Sequence, residues 1–342
     1  TREIEALAGR ILHGELPIKG KETAAKVESA DARPAYLEAL RKIINLEALR
    51  KSGLRLGYDA LNGVGTDYVV PLLEEAGITL RSIHTERDVL FRGTGPDPSE
   101  KNLAELSALV QKEGLDMGIS TDGDADRFGI IDQDGGFVQP NFILALLFDY
   151  LIEVRGFPGG AGKSVATTHL IDAVAEHHHV PLYQTPVGFK YLGQLIVEDK
   201  IVLGGEESAG MSVRGHLPEK DGILACLLAA EMVAVRKKSL QEQIRDLYQK
   251  VGEYHPVRLN LELTEEIKSS LPSKFEKDWP RFDSQKVSKA DRTDGLKLIL
   301  EDGSWVLFRM SGTEPLCRCY CEARSEKGLA PLVEAARSFI FH

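Results

Sequence analysis

The chain has 342 residues, with 42 Lys and Arg against 52 Asp and Glu, which gives a formal net charge of −10. This acidic balance argues against nucleic acid as the main partner, because neutralising phosphates requires a basic face. The length predicts two or three domains, and 43% hydrophobic with 27% charged residues is typical of a soluble globular protein. The apolar runs Phe142 to Phe148 and Ile223 to Ala230 are too short to span a membrane.

Four cysteines are too few for a disulfide scaffold in a chain of this length. Cys317, Cys319 and Cys321 alternate along a strand-like run, so their thiols share one face. A metal site there would need a CxxC pair or a nearby histidine, so we expect core packing. The small number of cysteines, expected to be unpaired, fits a reducing, cytoplasmic compartment. The chain has no secretory signal and opens with Thr1, and we expect its N-terminus to be a cut end.

The first residues, to about Leu40, are charged and helix-prone and are expected to be the trailing part of an absent domain. From Leu54 the pattern alternates strand, glycine loop and helix. It predicts strands at LRLGYDA, ITLRSIH and LDMGIS, helices at TDYVVPLLEEAG and NLAELSALVQKEG, and a hairpin, FGIIDQDGGFV, that closes the unit near Val138. This alternation predicts a mostly parallel sheet with right-handed crossovers.

A similar cycle follows, beginning with a helix from Asn141 to Glu153 and a PGGAG break. We expect a strand at KSVATTH, a helix at LIDAVAEHHH, strands at VPLYQTP and KIVLGGEE, and a long helix at GILACLLAAEMVAVRKK. His177 to His179 are interpreted as a solvated helix end.

Past Tyr254 the residues alternate in hydrophobicity, which predicts consecutive antiparallel strands and a final helix from about Leu329 to Phe339. The predicted fold class is α/β: two related three-layer α/β/α domains followed by a smaller α+β C-terminal domain. The predicted boundaries are 1–40 for trailing helices and linker, 41–138 and 139–253 for the α/β domains, and 254–342 for the last domain.

The densest chemical signal is Thr121 to Arg127, TDGDADR, in the turn between two predicted strands. Three carboxylates this close repel one another, so a fold that gathers them normally does so around a cation. A calcium-binding EF-hand loop is disfavoured, because it would need Gly at position 127, where Arg127 stands, and Glu at position 133, where Gln133 stands. A phosphatase that forms an aspartyl phosphate would use Asp122 as its nucleophile. Such enzymes usually have Thr or Val at the position of Asp126, so this alternative fits less well. A solvated acidic turn is the remaining alternative.

Two further loops carry polar groups among glycines. GGEESAG, Gly204 to Gly210, follows an apolar strand and could bind vicinal sugar hydroxyls, although a glycine turn with a helix-capping Ser has the same residues. RMSGTEP, Arg309 to Pro315, could form a phosphate cradle, and a polar hairpin turn would have the same residues. Gly63-Val64-Gly65 lacks the third glycine of a dinucleotide fingerprint.

Together, DGDADR, GGEESAG and RMSGTEP resemble the α-D-phosphohexomutases, the phosphoglucomutase and phosphomannomutase group. The resemblance extends to YDALNGVG, TPVGFKYLG and PEKDGILA, and it covers the chain from about Tyr36. That family has four domains, of which this chain matches the last three. The resemblance implies a missing N-terminal domain, in cis, whose Ser-His-Asn-Pro type loop carries the phosphoserine; no such loop is found in the sequence.

The resemblance also implies roles for individual residues. Asp122, Asp124 and Asp126 would hold Mg²⁺, with Arg127 beside the phosphoserine and Lys220 near the reacting hydroxyl. Glu206 and Ser208 would bind the substrate at hydroxyls 3 and 4, and Lys190, also assigned to substrate binding, is a looser match to the family. The substrate's non-transferred phosphate would be bound by Arg309, Ser311, Gly312 and Thr313. Ala209 stands where many relatives have Gly.

The implied activity is interconversion of hexose 1-phosphate and 6-phosphate through a 1,6-bisphosphate, with domain closure around either orientation of the sugar. The doubled glutamate of GGEESAG favours glucose over mannose. We expect the isolated chain to be inactive without the serine domain. Two alternatives remain: a phosphosugar-binding or regulatory protein without catalysis, and a Mg²⁺-dependent sugar phosphatase.

Overall fold

The computed structural model describes residues 2–17, 28–311 and 314–341, which fall into two units, Thr1–Tyr36 and Leu37–His342. The first unit contains helix α1, Arg2–Leu12, on which Ile4, Leu7 and Ile11 are exposed. These residues are three and four apart and therefore form one apolar stripe along the helix.

The second unit begins within helix α2, Arg33–Ile43, and contains an α/β region built on a five-stranded sheet. Its strand order is β2-β1-β3-β4-β5; β1 is parallel to β2 and β3, and β4 and β5 return antiparallel as a hairpin. The elements are α2 Arg33–Ile43, α3 Leu46–Ser52, β1 Arg55–Asp59, α4 Thr66–Glu75, β2 Thr79–Ile83, a 3-10 turn Phe91–Gly93, α5 Ala104–Glu113, β3 Met117–Thr121, β4 Phe128–Asp132 and β5 Phe137–Val138. The predicted alternation and the closing hairpin are confirmed.

A second α/β region follows, with strand order β7-β6-β8-β9 and parallel pairing of β6 with both β7 and β8. Its central helix α9 is buried along nearly its whole length, which explains its continuous apolar sequence. The elements are α6 Pro140–Glu153, β6 Gly160–Ser164, α7 Leu170–His177, β7 Leu182–Thr185, α8 Phe189–Val197, β8 Ile201–Gly205, β9 Met211–Val213, α9 Gly222–Arg236 and α10 Leu240–Val251.

The predicted strand KSVATTH is wrong in its position, because β6 runs from Gly160 to Ser164 and includes glycines that we interpreted as a break. A Cβ atom on Gly160 would lie 2.0 Å from the carbonyl oxygen of Pro181, so glycine permits the close approach of the chain beside β7. The interpretation of His177 to His179 as a solvated end is also wrong for His178. Its ring is 12% exposed and its Nε2 lies 2.7 Å from Asp149 Oδ1.

The last region is a six-stranded antiparallel sheet with order β10-β15-β14-β13-β12-β11. Cys317, Cys319 and Cys321 are fully buried in its core, which confirms the packing prediction. The elements are β10 His255–Glu262, α11 Glu265–Phe275, β11 Arg281–Phe282, β12 Gln285–Asp291, β13 Leu296–Leu300, β14 Trp305–Met310, β15 Leu316–Ala323 and α12 Glu326–Phe341. None of the helices in the described residues could cross a bilayer, since each is too short or too polar.

Buried carboxylates tie these regions together. Glu322 of β15 accepts hydrogen bonds from Trp305 Nε1 at 2.7 Å and from the backbone N–H of His169 at 2.9 Å, just before helix α7. Glu231 of α9 accepts from the Tyr150 hydroxyl at 2.6 Å and from the backbone N–H of Asn45 at 2.6 Å. Because buried charges need such partners, each carboxylate fixes the junction in which it lies.

We predict that Glu231→Ala destabilises the protein by about 3 kcal/mol, because it leaves the charge of Arg155, its ion-pair partner, and the N–H of Asn45 without an acceptor. Glu153→Ala is the matched control. Glu153 is 45% exposed and pairs with Lys250, so its loss should cost less than about 1 kcal/mol. Urea unfolding followed by circular dichroism measures both, and equal losses would contradict this account.

Candidate functional site

The three aspartates of DGDADR converge in the loop between β3 and β4. One carboxylate oxygen from each of Asp122, Asp124 and Asp126 lies within 4.8 Å of the others, and in the described residues this is the only group of this kind. Asp122 is 8% exposed. Burial, with the neighbouring charges of Asp126 and Asp124, raises the pKa of Asp122 to about 7, although a hydrogen bond from Arg127 opposes the shift. The loop therefore brings three carboxylates together at a place where water screens their mutual repulsion poorly.

Close backbone approaches hold this loop in shape. Asp122 Oδ1 accepts from the N–H of Arg127 at 2.9 Å, and Val64 N donates to Gly123 O at 3.1 Å. A Cβ on Gly63 would meet Gly123 O at 2.6 Å. Ala125 has φ 60°, a conformation that costs a non-glycine residue energy and is often retained at functional sites. The glycines of YDALNGVG thus allow that segment to support the acidic loop.

Arg127 and Lys220 lie at the edge of the acidic loop. Lys220 Nζ pairs with Asp126 Oδ2, and Arg127 Nε lies 3.6 Å from Asp126 Oδ1 while the arginine side chain is 41% exposed. Gly222 N donates to Ala125 O at 2.9 Å, and a Cβ on Gly222 would lie 2.1 Å from Arg127 O. The segment EKDG, residues 219–222, therefore packs directly against the acidic loop.

The GGEESAG loop lies beside the same loop. Phe128 N donates to Ala209 O at 3.3 Å, and Arg127 forms an isolated antiparallel bridge with Gly210. Ala209 has φ 72°, a left-handed conformation that glycine adopts more readily than alanine. Its neighbour Ser208 is partly exposed.

Glu206 is the buried carboxylate of this loop, with 5% of its surface exposed. Burial raises its pKa, and a hydrogen bond from Gly188 N to Glu206 Oε1, 2.8 Å long, partly opposes the shift. Gly188 belongs to TPVGFKYLG, the segment that also carries Lys190. Lys190 is exposed, with Nζ 5.0 Å from the centre of the Tyr191 ring.

Arg309 lies near the end of strand β14 and is 14% exposed. Its Nη2 donates to Asp294 Oδ2 at 2.9 Å, while its Nε is buried without a partner in the described part of the chain. Ser311 Oγ accepts from Glu314 N at 3.2 Å. Gly312 and Thr313 lie outside the described residues.

Hydrogen bonds connect the Arg309 region with the GGEESAG loop. Asp294 Oδ2 also accepts from Val187 N at 3.0 Å, next to the Gly188 N–H that donates to Glu206. The structure thus connects loops that are distant in sequence.

Sequence reasoning missed Asp294 and the donor role of Val187 and Gly188. A weak signal existed for Asp294, which forms an Asp-Gly pair just before a predicted strand. Gly295 after it has φ 99°, and a Cβ atom there would lie 3.0 Å from Arg309 Cγ, so the pair forms a turn next to the arginine.

Three family models match consecutive parts of the chain. They describe the phosphoglucomutase/phosphomannomutase α/β/α domain II at residues 34–136, α/β/α domain III at 139–251 and the C-terminal domain at 258–338.

Individual relatives are similar over most of the chain. A phosphoglucomutase/phosphomannomutase of Thermococcus kodakarensis is 30% identical over 95% of this chain and 69% of its own length. Phosphoglucomutase-1 of Homo sapiens is 32% identical over 87% of this chain and 59% of its own length, so the chain spans well under two thirds of that relative. A crystal structure from Thermus thermophilus, provisionally named a phosphomannomutase, superposes with a TM-score of 0.80 at 33% identity, covering 93% of this chain and 68% of that one.

Proposed function

The chain belongs to the phosphoglucomutase/phosphomannomutase family of the α-D-phosphohexomutase superfamily, and we propose that it supplies the metal-, sugar- and phosphate-binding parts of a phosphohexomutase. The reaction would interconvert hexose 1-phosphate and hexose 6-phosphate through a 1,6-bisphosphate. The observation that carries the proposal is the hydrogen-bonded chain from Arg309 through Asp294, Val187 and Gly188 to Glu206. It joins a cation suited to phosphate with a carboxylate suited to sugar hydroxyls.

The acidic loop has the donor set for Mg²⁺. Its three carboxylate oxygens, within 4.8 Å of one another, are hard ligands on one short turn. Burial is the main cause of the raised pKa of Asp122, and the charges of Asp126 and Asp124 add to it. Mg²⁺ bound by Asp122, Asp124 and Asp126 would stabilise the charge that spreads over the transferring phosphoryl group. Family members complete this site with a phosphoserine on another domain.

Arg127 and Lys220 are the proposed catalytic residues. The backbone N–H of Arg127 donates to Asp122, which fixes the residue beside the acidic loop. Its partly exposed guanidinium can balance negative charge on the phosphoryl group during transfer. Lys220 pairs with Asp126, which places its ammonium group next to the acidic loop and near any hydroxyl bound there. An ammonium group in that position can stabilise negative charge that develops on the oxygen of that hydroxyl.

Substrate binding is divided between two loops. Glu206 would accept a hydrogen bond from hydroxyl 3 or 4 of the hexose, with Ser208 as donor and acceptor beside it and the exposed Lys190 within the same segment as Gly188. Arg309 and Ser311, with Gly312 and Thr313 in the same loop, would bind the phosphate that is not transferred. In the part of the chain that the structure describes, the buried Nε of Arg309 has no partner, which supports this assignment because a buried donor needs an acceptor.

We favour glucose over mannose on the doubled glutamate of GGEESAG. The two epimers share hydroxyls 3 and 4, so contacts from Glu206 and Ser208 discriminate little between them. We also propose the domain ranges 1–40, 41–138, 139–253 and 254–342, and a reducing, cytoplasmic location in keeping with four free, buried thiols.

We predict that Asp126→Asn weakens Mg²⁺ binding by at least about tenfold, because it removes one of three charged ligands. Isothermal titration calorimetry with MgCl₂ measures the affinity. Asp134→Asn is the control, since the Asp134 carboxylate lies in the turn after β4 and accepts from Gly136 N in that turn. Equal affinities for Asp126→Asn and the unchanged chain would exclude the acidic loop as the metal site.

Arg309→Ala should weaken the binding of glucose 6-phosphate by about ten- to a hundredfold, the usual loss for a charged hydrogen bond to phosphate. Calorimetry with glucose 6-phosphate gives the affinity, and unphosphorylated glucose shows whether the loss is specific to the phosphate. Arg281→Ala removes an exposed arginine from the same domain and should leave binding unchanged. The proposal fails if Arg309→Ala binds normally.

The purified chain is expected to show no mutase turnover, because its sequence contains no Ser-His-Asn-Pro type loop. The assay supplies glucose 1-phosphate, Mg²⁺ and a trace of glucose 1,6-bisphosphate, and detects glucose 6-phosphate with a coupled dehydrogenase. Turnover free of contaminating mutase would contradict the expectation. Release of phosphate, with an aspartyl phosphate at Asp122 detected by mass spectrometry, would support a phosphatase instead.

A further inference from the structure

Asp294 occupies a position that two loops share. It lies in the turn between β12 and β13, and its Oδ2 atom accepts from Arg309 Nη2 at 2.9 Å and from the backbone N–H of Val187 at 3.0 Å. Arg309 belongs to the C-terminal sheet, whereas Val187 precedes helix α8 of the second α/β region. One carboxylate oxygen therefore fixes the guanidinium relative to the neighbouring region.

The next residue continues this connection to the sugar loop. Gly188 N donates to Glu206 Oε1 at 2.8 Å, so two successive backbone N–H groups reach two carboxylates from different loops. Gly188 has φ 131°, which side-chain-bearing residues rarely adopt. The backbone at this point is thus shaped to link Asp294 with Glu206.

The bond to Asp294 uses only part of the donor capacity of Arg309. Guanidinium has five N–H groups in a planar fork, so fixing Nη2 also fixes the direction of the other donors. The Nε group of Arg309 is buried without a partner in the region that the structure describes. A held arginine loses less rotamer freedom when it binds an anion than a mobile one.

We propose that Asp294 is a positioning residue for phosphate recognition. It orients Arg309 towards the non-transferred phosphate of a hexose phosphate and holds the guanidinium at a fixed position relative to Glu206. The inference rests on the proposed function, because it takes Arg309 as the phosphate ligand. Asp294 does not touch the phosphate and acts only through the arginine.

The test is Asp294→Asn, with glucose 6-phosphate affinity measured by calorimetry. Removing a negative charge near an anion site would by itself tighten binding, whereas loss of orientation weakens it. We expect binding about tenfold weaker. Asp302→Asn is the matched control: it removes the same charge from the turn between β13 and β14 of the same sheet, where Asp302 Oδ1 accepts from Ser304 N at 2.9 Å. Its affinity should not weaken.

A double-mutant cycle separates positioning from general damage. In an Arg309→Lys background, which lacks the planar fork, Asp294→Asn should change affinity by less than about threefold. Tighter binding by Asp294→Asn alone, or an equal loss in both backgrounds, would overturn the proposal. Circular dichroism of each variant shows that the fold is kept.

A second measurement needs no sugar. Hydrogen exchange at the Nε–H of Arg309, assigned in NMR spectra by its loss in Arg309→Lys, should be faster in Asp294→Asn and unchanged in Asp302→Asn. Unchanged exchange in both variants would refute the positioning role. If the unaltered chain binds no glucose 6-phosphate, the proposed function fails, and the exchange rates alone then decide whether Asp294 orients Arg309.

Discussion

Repulsion among three carboxylates confined to one short loop is the constraint on which the site depends. The loop cannot spread to separate its charges, because Gly63 on one side and Gly222 on the other bring backbone to within contact distance of it. The charges must be balanced from outside, and Lys220 and Arg127 are the cations that lie against Asp126. A divalent ion would complete the same balance more fully.

The loops around this centre are joined mainly by backbone N–H groups. Val64 donates to Gly123, Gly222 to Ala125, and Gly188 to Glu206, so the partners come from segments far apart in sequence. Backbone donors have few conformations to lose, and a site assembled from them is more rigid than one built from long side chains. Buried Glu231 and Glu322 play the corresponding part at the junctions between regions.

Local patterns predicted much of this molecule. The alternation of strands and helices, the buried cysteine run and the three polar loops all depend on neighbouring residues, so the sequence displays them directly. Features that depend on distant partners escaped prediction. Gly160 belongs to a strand because of Pro181, His178 is buried because of Asp149, and Asp294 matters because of Arg309 and Val187. No local pattern records such pairings.

The three thiols in β15 have a consequence for how the C-terminal sheet can be observed. Cys317, Cys319 and Cys321 are fully buried, with the sulfurs of Cys319 and Cys321 3.8 Å apart. A thiol reagent can reach them only when this sheet opens, so their rate of modification reports the opening free energy of that region alone. Thiol modification would therefore measure local unfolding of the C-terminal sheet without an added probe.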